Sequence, residues 1–118
     1  MLYTNLKHIE TAAELERAIN DYENVVIICG RMDPASIESY CIAEELEKKY
    51  SNIKFYDMEF DNPETMEMQN TMEICKIGNL PLIGYFINNN LIYLSYGVQS
   101  KELFEERLKK EFKLSENV

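Results

Sequence analysis

The sequence contains no tryptophan, one histidine and only three cysteines in 118 residues. Cys29, Cys41 and Cys75 stand far apart, and no C-x-x-C spacing occurs. An odd cysteine count without paired spacing argues against a disulfide framework and against a zinc site. It fits a reducing, cytoplasmic setting. No apolar run reaches the roughly 18 residues that suggest a membrane-crossing helix. The N-terminus, M-L-Y-T-N-L-K-H, lacks the basic stretch and apolar core of a secretory signal, so none is expected. There is no G-x-x-x-x-G-K-[ST] phosphate loop and no nucleophile elbow. Repeats and low-complexity segments are absent too. His8 has no metal-ligating partner at useful spacing and reads as a surface or loop residue. Neither a metal nor a cofactor is expected.

Basic side chains are in short supply. Twelve Lys and Arg against 21 Asp and Glu leave a net charge of −9. Such a chain repels nucleic acid phosphates and anionic lipid, so neither is an expected partner. The carboxylates are scattered over helix faces and read as solvated surface, not as a catalytic pair.

What remains is an ordinary globular balance, 46% hydrophobic and 28% charged, in a length that suits one domain, 1–118. Thr11-x-x-Glu14 reads as a capping box that starts a first helix, with Leu15, Ile19 and Tyr22 on its apolar stripe. Residues 25–29, V-V-I-I-C, form a short apolar run rich in β-branched side chains, as in a central strand covered on both faces. Gly30 ends it. Asp33 as N-cap and Pro34 at the first helical position start a second helix. Its stripe is Ala35, Ile42, Ala43, Leu46 and Tyr50. A second strand is expected over 53–60. Met68, Met72 and Cys75 recur at helical spacing, a stripe that reads as core with a docking surface as the alternative. Residues 82–87 and 91–96 read as two strands joined by a three-residue turn, Asn88-Asn89-Asn90. Ser100 caps a last helix with Leu103, Phe104, Leu108 and Phe112 inward. A short first strand is expected near residues 2–6. The order implies one α/β domain, a mixed sheet of four or five strands flanked by about four helices.

That order, with three local matches, resembles the thioredoxin family. The matches are V-V-I-I-C running into a helix that ends E-E-L-E-K-K-Y, the segment N-L-P-L-I-G-Y-F, and the hairpin I-N-N-N-L followed by Y-G-V-Q-S-K-E-L-F. The resemblance implies a thioredoxin-like fold in which Pro81 is a cis-proline. It also implies a C-x-x-C motif in the first turn of the long helix. Counting back from E-E-L-E-K-K-Y puts that motif on Asp33-Pro34-Ala35-Ser36, where both cysteines are missing. Met32 takes the place of the tryptophan before it. The family's buried acid falls near Ile27, and the stretch between Pro63 and Pro81 is longer than usual.

A carboxylate cannot attack a disulfide, so the exchange chemistry of the family is not expected here. Asp33 reads as a helix cap, or as a group that reads a donor on a partner. The surviving feature is the groove beside Pro81. The resemblance implies that Leu80 offers strand-like hydrogen bonds to a partner's backbone there. Tyr96, Gly97 and Val98 form the far wall, with Met32, Asp33 and Pro34 at the mouth. The leading expectation is a non-catalytic binding module for a protein or peptide. The rivals are a single-thiol oxidoreductase, or a peroxide- or glutathione-reactive protein, working through Cys29, and an adaptor subunit of a larger assembly. Cys29 otherwise reads as a buried, inert residue, and Cys41 as a packing residue in the long helix.

Overall fold

The computed structural model describes residues 4–63 and 80–114. The described elements, in chain order, are β1 (Lys7–Ile9), α1 (Ala12–Asp21), β2 (Asn24–Gly30), α2 (Pro34–Lys49), β3 (Lys54–Glu59), β4 (Leu82–Ile87), β5 (Asn90–Tyr96) and α3 (Lys101–Glu111). The strands form one five-stranded sheet in the order β1-β3-β2-β4-β5. β1, β3 and β2 run parallel, and β4 and β5 run antiparallel to their neighbours.

β2 lies in the middle of this sheet, which is why its sequence is apolar at almost every position. Val26 and Ile28 face one side, where Tyr40, Ala43, Leu46, Phe104 and Leu108 cover them from α2 and α3. Val25, Ile27 and Cys29 face the other side, which α1 covers with Ala18 and the half-buried Leu15 and Ile19. Burying both faces of a strand stabilises it twice over, and alternation disappears from the sequence as a result.

Several expectations need correcting. The first described strand is Lys7–Ile9, paired with β3 and later than the expected 2–6, of which residues 2 and 3 lie outside the described residues. The turn between β4 and β5 is Asn88-Asn89 alone, both at positive φ (48° and 71°), with Asn90 already in the ladder opposite Ile87. Two consecutive left-handed residues match the twist of a tight hairpin, so the third asparagine is not needed in the turn. Three helices are described rather than about four. The helix expected over Met68, Met72 and Cys75 lies outside the described residues. Cys41 is exposed, since it falls in line with Glu38, Glu45 and Lys48 on the outer face of α2. The buried positions there are Ser36, Ser39, Tyr40, Ile42, Ala43 and Leu46, with Tyr50 at the C-cap. In α3, Leu103 is 57% exposed and only Phe104, Leu108 and the C-cap Phe112 turn inward.

Candidate functional site

The sheet register sets where the candidate residues meet. Leu82 stands beside Cys29 on one side and Tyr96 on the other. The residues after β2, before β4 and after β5 therefore emerge at the same end of the sheet. They are Arg31-Met32-Asp33, Leu80-Pro81 and Gly97-Val98. The loops are tied together. Gly97 N–H donates to the Pro81 carbonyl at 3.0 Å. Gly97 holds φ at 89°, which glycine adopts without steric cost. The Leu80–Pro81 peptide bond is cis. None of the described residues hydrogen-bonds to the backbone N–H or carbonyl of Leu80.

The first loop is held from two directions. Phe60 N–H donates to the Gly30 carbonyl at 2.8 Å. Arg31 forms a forked pair with Asp61, at 2.7 and 2.9 Å, and its guanidinium lies 5.1 Å from the centroid of the Phe60 ring. The hydrogen bond from Arg31 holds the Asp61 carboxyl below the usual carboxylate range. From inside, Tyr40 Oη donates to the Arg31 carbonyl at 3.0 Å, and Ser36 Oγ accepts from Arg31 N–H at 3.4 Å. Ser36 is fully buried, so the residue at the second cysteine position of the resembled motif is a packing and loop-anchoring group.

Asp33 departs from the simple capping reading. Its backbone is extended, as a cap requires, and its carbonyl accepts the first helical bond from Ile37 N–H at 2.9 Å. Its side chain makes no capping bond, and Oδ1 is buried without a partner. Thr11 and Ser100, by contrast, accept from Glu14 N–H and Leu103 N–H as N-caps do. Pro34 supplies the helix start at position 33–34 through its fixed φ and its missing N–H.

Beside the exposed Arg31–Asp61 pair, these loops also present apolar side chains. Met32 is 40% exposed, Tyr96 51% and Val98 53%. Pro34 is exposed, Leu80 is half-buried and Pro81 is buried. All eight residues singled out from the sequence thus fall at one end of the sheet, on three loops and at the adjoining ends of α2 and β5.

Cys29 does not join them. It faces α1, is 1% exposed, and burial pushes its thiol up to about 12, with the nearby Asp61 charge adding to the effect. The thiolate needed for nucleophilic chemistry is scarce there at neutral pH.

Thr4 and Asp57, not singled out in the sequence, form a second polar cluster with His8. Asp57 in β3 is 1% exposed and accepts from Thr4 Oγ1 and from His8 Nδ1, which lies 2.7 Å from Oδ1 and 2.9 Å from Oδ2. His8 is therefore not a solitary surface residue. The parallel register sets it directly beside Asp57, and a pairing across 49 residues leaves no local signal. A cavity of about 310 Å³ at the ends of β1 and β3 opens next to the pair, with Glu10, Thr11, Glu59 and Asn62 among its lining residues. No group of three or more His, Cys, Asp and Glu among the described residues could hold a metal ion.

Burial raises the Asp57 carboxyl above its ordinary value, outweighing the lowering from Thr4 and His8. A folded-state pKa above the unfolded one means that folding favours the protonated acid. The associated stability is present at low pH and is lost as pH rises through the raised value. Asp57→Asn is thus expected to gain on the wild type as pH increases across that window, then to keep a constant difference from it. Urea denaturation of both proteins at a series of pH values measures the difference, and a gap that shrinks with rising pH contradicts the assignment.

No protein-family model matches the chain, and no curated protein matches it. Solved structures do. A mutant thioredoxin from Halobacterium salinarum NRC-1 superposes with a TM-score of 0.76 at 11% identity, covering 88% of each chain. The fold is thioredoxin-like. Thioredoxin from Trypanosoma brucei brucei gives a TM-score of 0.74 at 12% identity over 95% of both chains. A chain from work on the thiol resolving mechanism of yeast mitochondrial 1-Cys peroxiredoxin gives 0.74 at 17% identity, covering 93% of this chain and 99% of that one. At such identities the shared property is the thioredoxin-like architecture, a mixed sheet of five strands with helices on both faces. Among the described residues no helix is long and apolar enough to cross a membrane.

Proposed function

We propose that this thioredoxin-like protein is a non-catalytic binding module that holds an extended segment of a protein partner in the groove beside Pro81. The observation that carries the reading is a Leu80 backbone without hydrogen-bond partners among the described residues, beside exposed apolar side chains. Its N–H and carbonyl have no partner among the described residues, while Met32, Tyr96 and Val98 stand exposed at the same end of the sheet. Backbone groups left without partners beside apolar side chains suit strand addition, in which main-chain bonds supply affinity and side-chain contacts supply selection. The replacement of both cysteines by Asp33 and Ser36 removes the attacking and the resolving thiol together. The burial and raised pKa of the Cys29 thiol speak against a single-thiol enzyme.

Two assays test the reading. With dithiothreitol as reductant the protein is expected to leave insulin disulfides intact at the background rate, and robust turnover contradicts the non-catalytic part. On an array of extended, uncharged peptides the wild type is expected to bind a subset. Val98→Asp, at an exposed position, is expected to weaken those interactions about tenfold, or roughly 1.4 kcal/mol. An array that binds nothing, or binds Val98→Asp equally well, removes the groove from consideration.

A further inference from the structure

β1 is an edge strand only three residues long, and it pairs with β3 alone. A ladder this short is a local unit that opens without unfolding the rest of a domain. Side chains supply further ties for the segment 4–9, and two of them end on one group. Thr4 Oγ1 donates to Asp57, and His8 Nδ1 lies 2.7 and 2.9 Å from its two carboxyl oxygens. Another tie runs to α2, where Glu44 Oε1 accepts from Asn5 N–H at 2.6 Å. Past β1 the chain is anchored. Asn62 Nδ2 donates to the Glu10 carbonyl at 2.8 Å, and Thr11 caps α1. The segment therefore hangs from a fixed point at Glu10–Thr11.

Asp57 is buried, and among the described residues its ion-pair partner is His8, with no Lys or Arg paired to it. Most other charges around the pair are negative. Glu10 and Glu59 line the cavity beside it, and Glu44 holds Asn5 from α2. Tyr40 of α2 is a neutral phenol close enough to feel the Asp57 charge. Towards α1, Glu14, Asp21 and Arg17 border the hollow that His8 shares with Lys7. A carboxylate held away from water is costly once its cation is gone. Histidine is the side chain that gains or loses charge between about pH 5 and 8.

We propose that His8 and Asp57 form a pH-sensitive latch on β1, closed while the imidazole is charged and loosened once it is neutral. With the imidazolium in place, the buried carboxylate has an opposite charge and two donors, all carried by the segment 4–9. With a neutral imidazole, a donor remains but the anion keeps no opposite charge beside it, and the nearby glutamates add repulsion. Swinging the segment outward about Glu10–Thr11 lets water reach Asp57. The sign agrees with Asp57 itself. Burial raises its carboxyl, so the contribution to docking is present on the acid side and lost as pH rises. Opening uncovers the buried Leu6 and Ile9 and the outer edge of β3, and it dismantles the cavity that His8, Ile9 and Glu10 help to line.

Amide hydrogen exchange at about pH 5.5 and about pH 8.5, corrected at each for the intrinsic rate of a free amide, tests the latch. Protection of Asn5, Leu6 and the β1 amides is expected to fall about tenfold from the lower pH to the higher. At both it is expected to lie below the protection of β2, as local opening requires. His8→Gln keeps a side-chain donor without the charge. It is expected to abolish the response, leaving β1 as open at the lower pH as the wild type is at the higher. Asp57→Asn removes the buried charge and is expected to flatten the response too. His8→Gln, at a partly exposed position, decides the matter even where Asp57→Asn folds poorly. Protection that does not change with pH, β1 amides as well protected as those of β2, or a response that survives in His8→Gln overturns the proposal.

Discussion

Phe104→Ala is expected to lower the stability by about 3–5 kcal/mol, the largest loss foreseen for a single substitution in this chain. Phe104 is 0% exposed and sits where α3 meets the sheet. Its ring lies 6.5 Å from the Tyr85 ring at 67°, an edge-to-face arrangement, and Leu46, Leu108 and Phe112 belong to the same buried cluster. Truncation removes apolar surface from the core and leaves a cavity that α3 and β4 close only in part. The neighbouring Leu103 is 57% exposed, so Leu103→Ala is expected to stay within about 0.5 kcal/mol of the wild type. Urea denaturation of the two variants makes the comparison. Similar midpoints for both mean that α3 does not pack as described.

Gly30→Ala is the second large effect, expected to cost about 1–3 kcal/mol through overpacking. A Cβ on Gly30 stands 2.6 Å from Ser36 Oγ and 2.7 Å from Tyr40 Oη. Neither atom has room to retreat. Ser36 is 0% exposed and Tyr40 2%, and both hold Arg31 through hydrogen bonds. The strain therefore passes into the loop that carries Met32 and Asp33. Combining Gly30→Ala with Ser36→Ala removes the closest atom and is expected to recover part of the loss, since Ser36 Cβ still stands 3.0 Å away. A double variant no more stable than the single one places the strain elsewhere.

Both effects show what a linear reading reaches. Phe104 belongs to a stripe of helical period, so its inward direction is readable, although the same pattern groups Leu103 with it. Adjacent helical residues point about 100° apart, and the width of the buried stripe depends on what the helix packs against. Gly30 reads only as the end of a strand. Its need for a missing side chain comes from Ser36 and Tyr40, which fold back from the first turns of α2. Asp33 shows the opposite failure. Asp before Pro is a well-formed cap signal, yet the side chain makes no capping bond and leaves Oδ1 buried and unpaired.

The order of strands and helices, the central position of β2 and the absence of any C-x-x-C spacing follow from local pattern and residue identity alone. These are short-range properties, because hydrophobic period, turn chemistry and the presence of a thiol are settled by residues a few positions apart. Tertiary structure decided the rest. It set His8 against Asp57, buried Cys29, turned Cys41 outward, and gathered Met32, Leu80, Pro81, Tyr96, Gly97 and Val98 at one end of the sheet. Each of these depends on strand register and helix docking, which join residues far apart in the chain and leave no mark on the sequence between them.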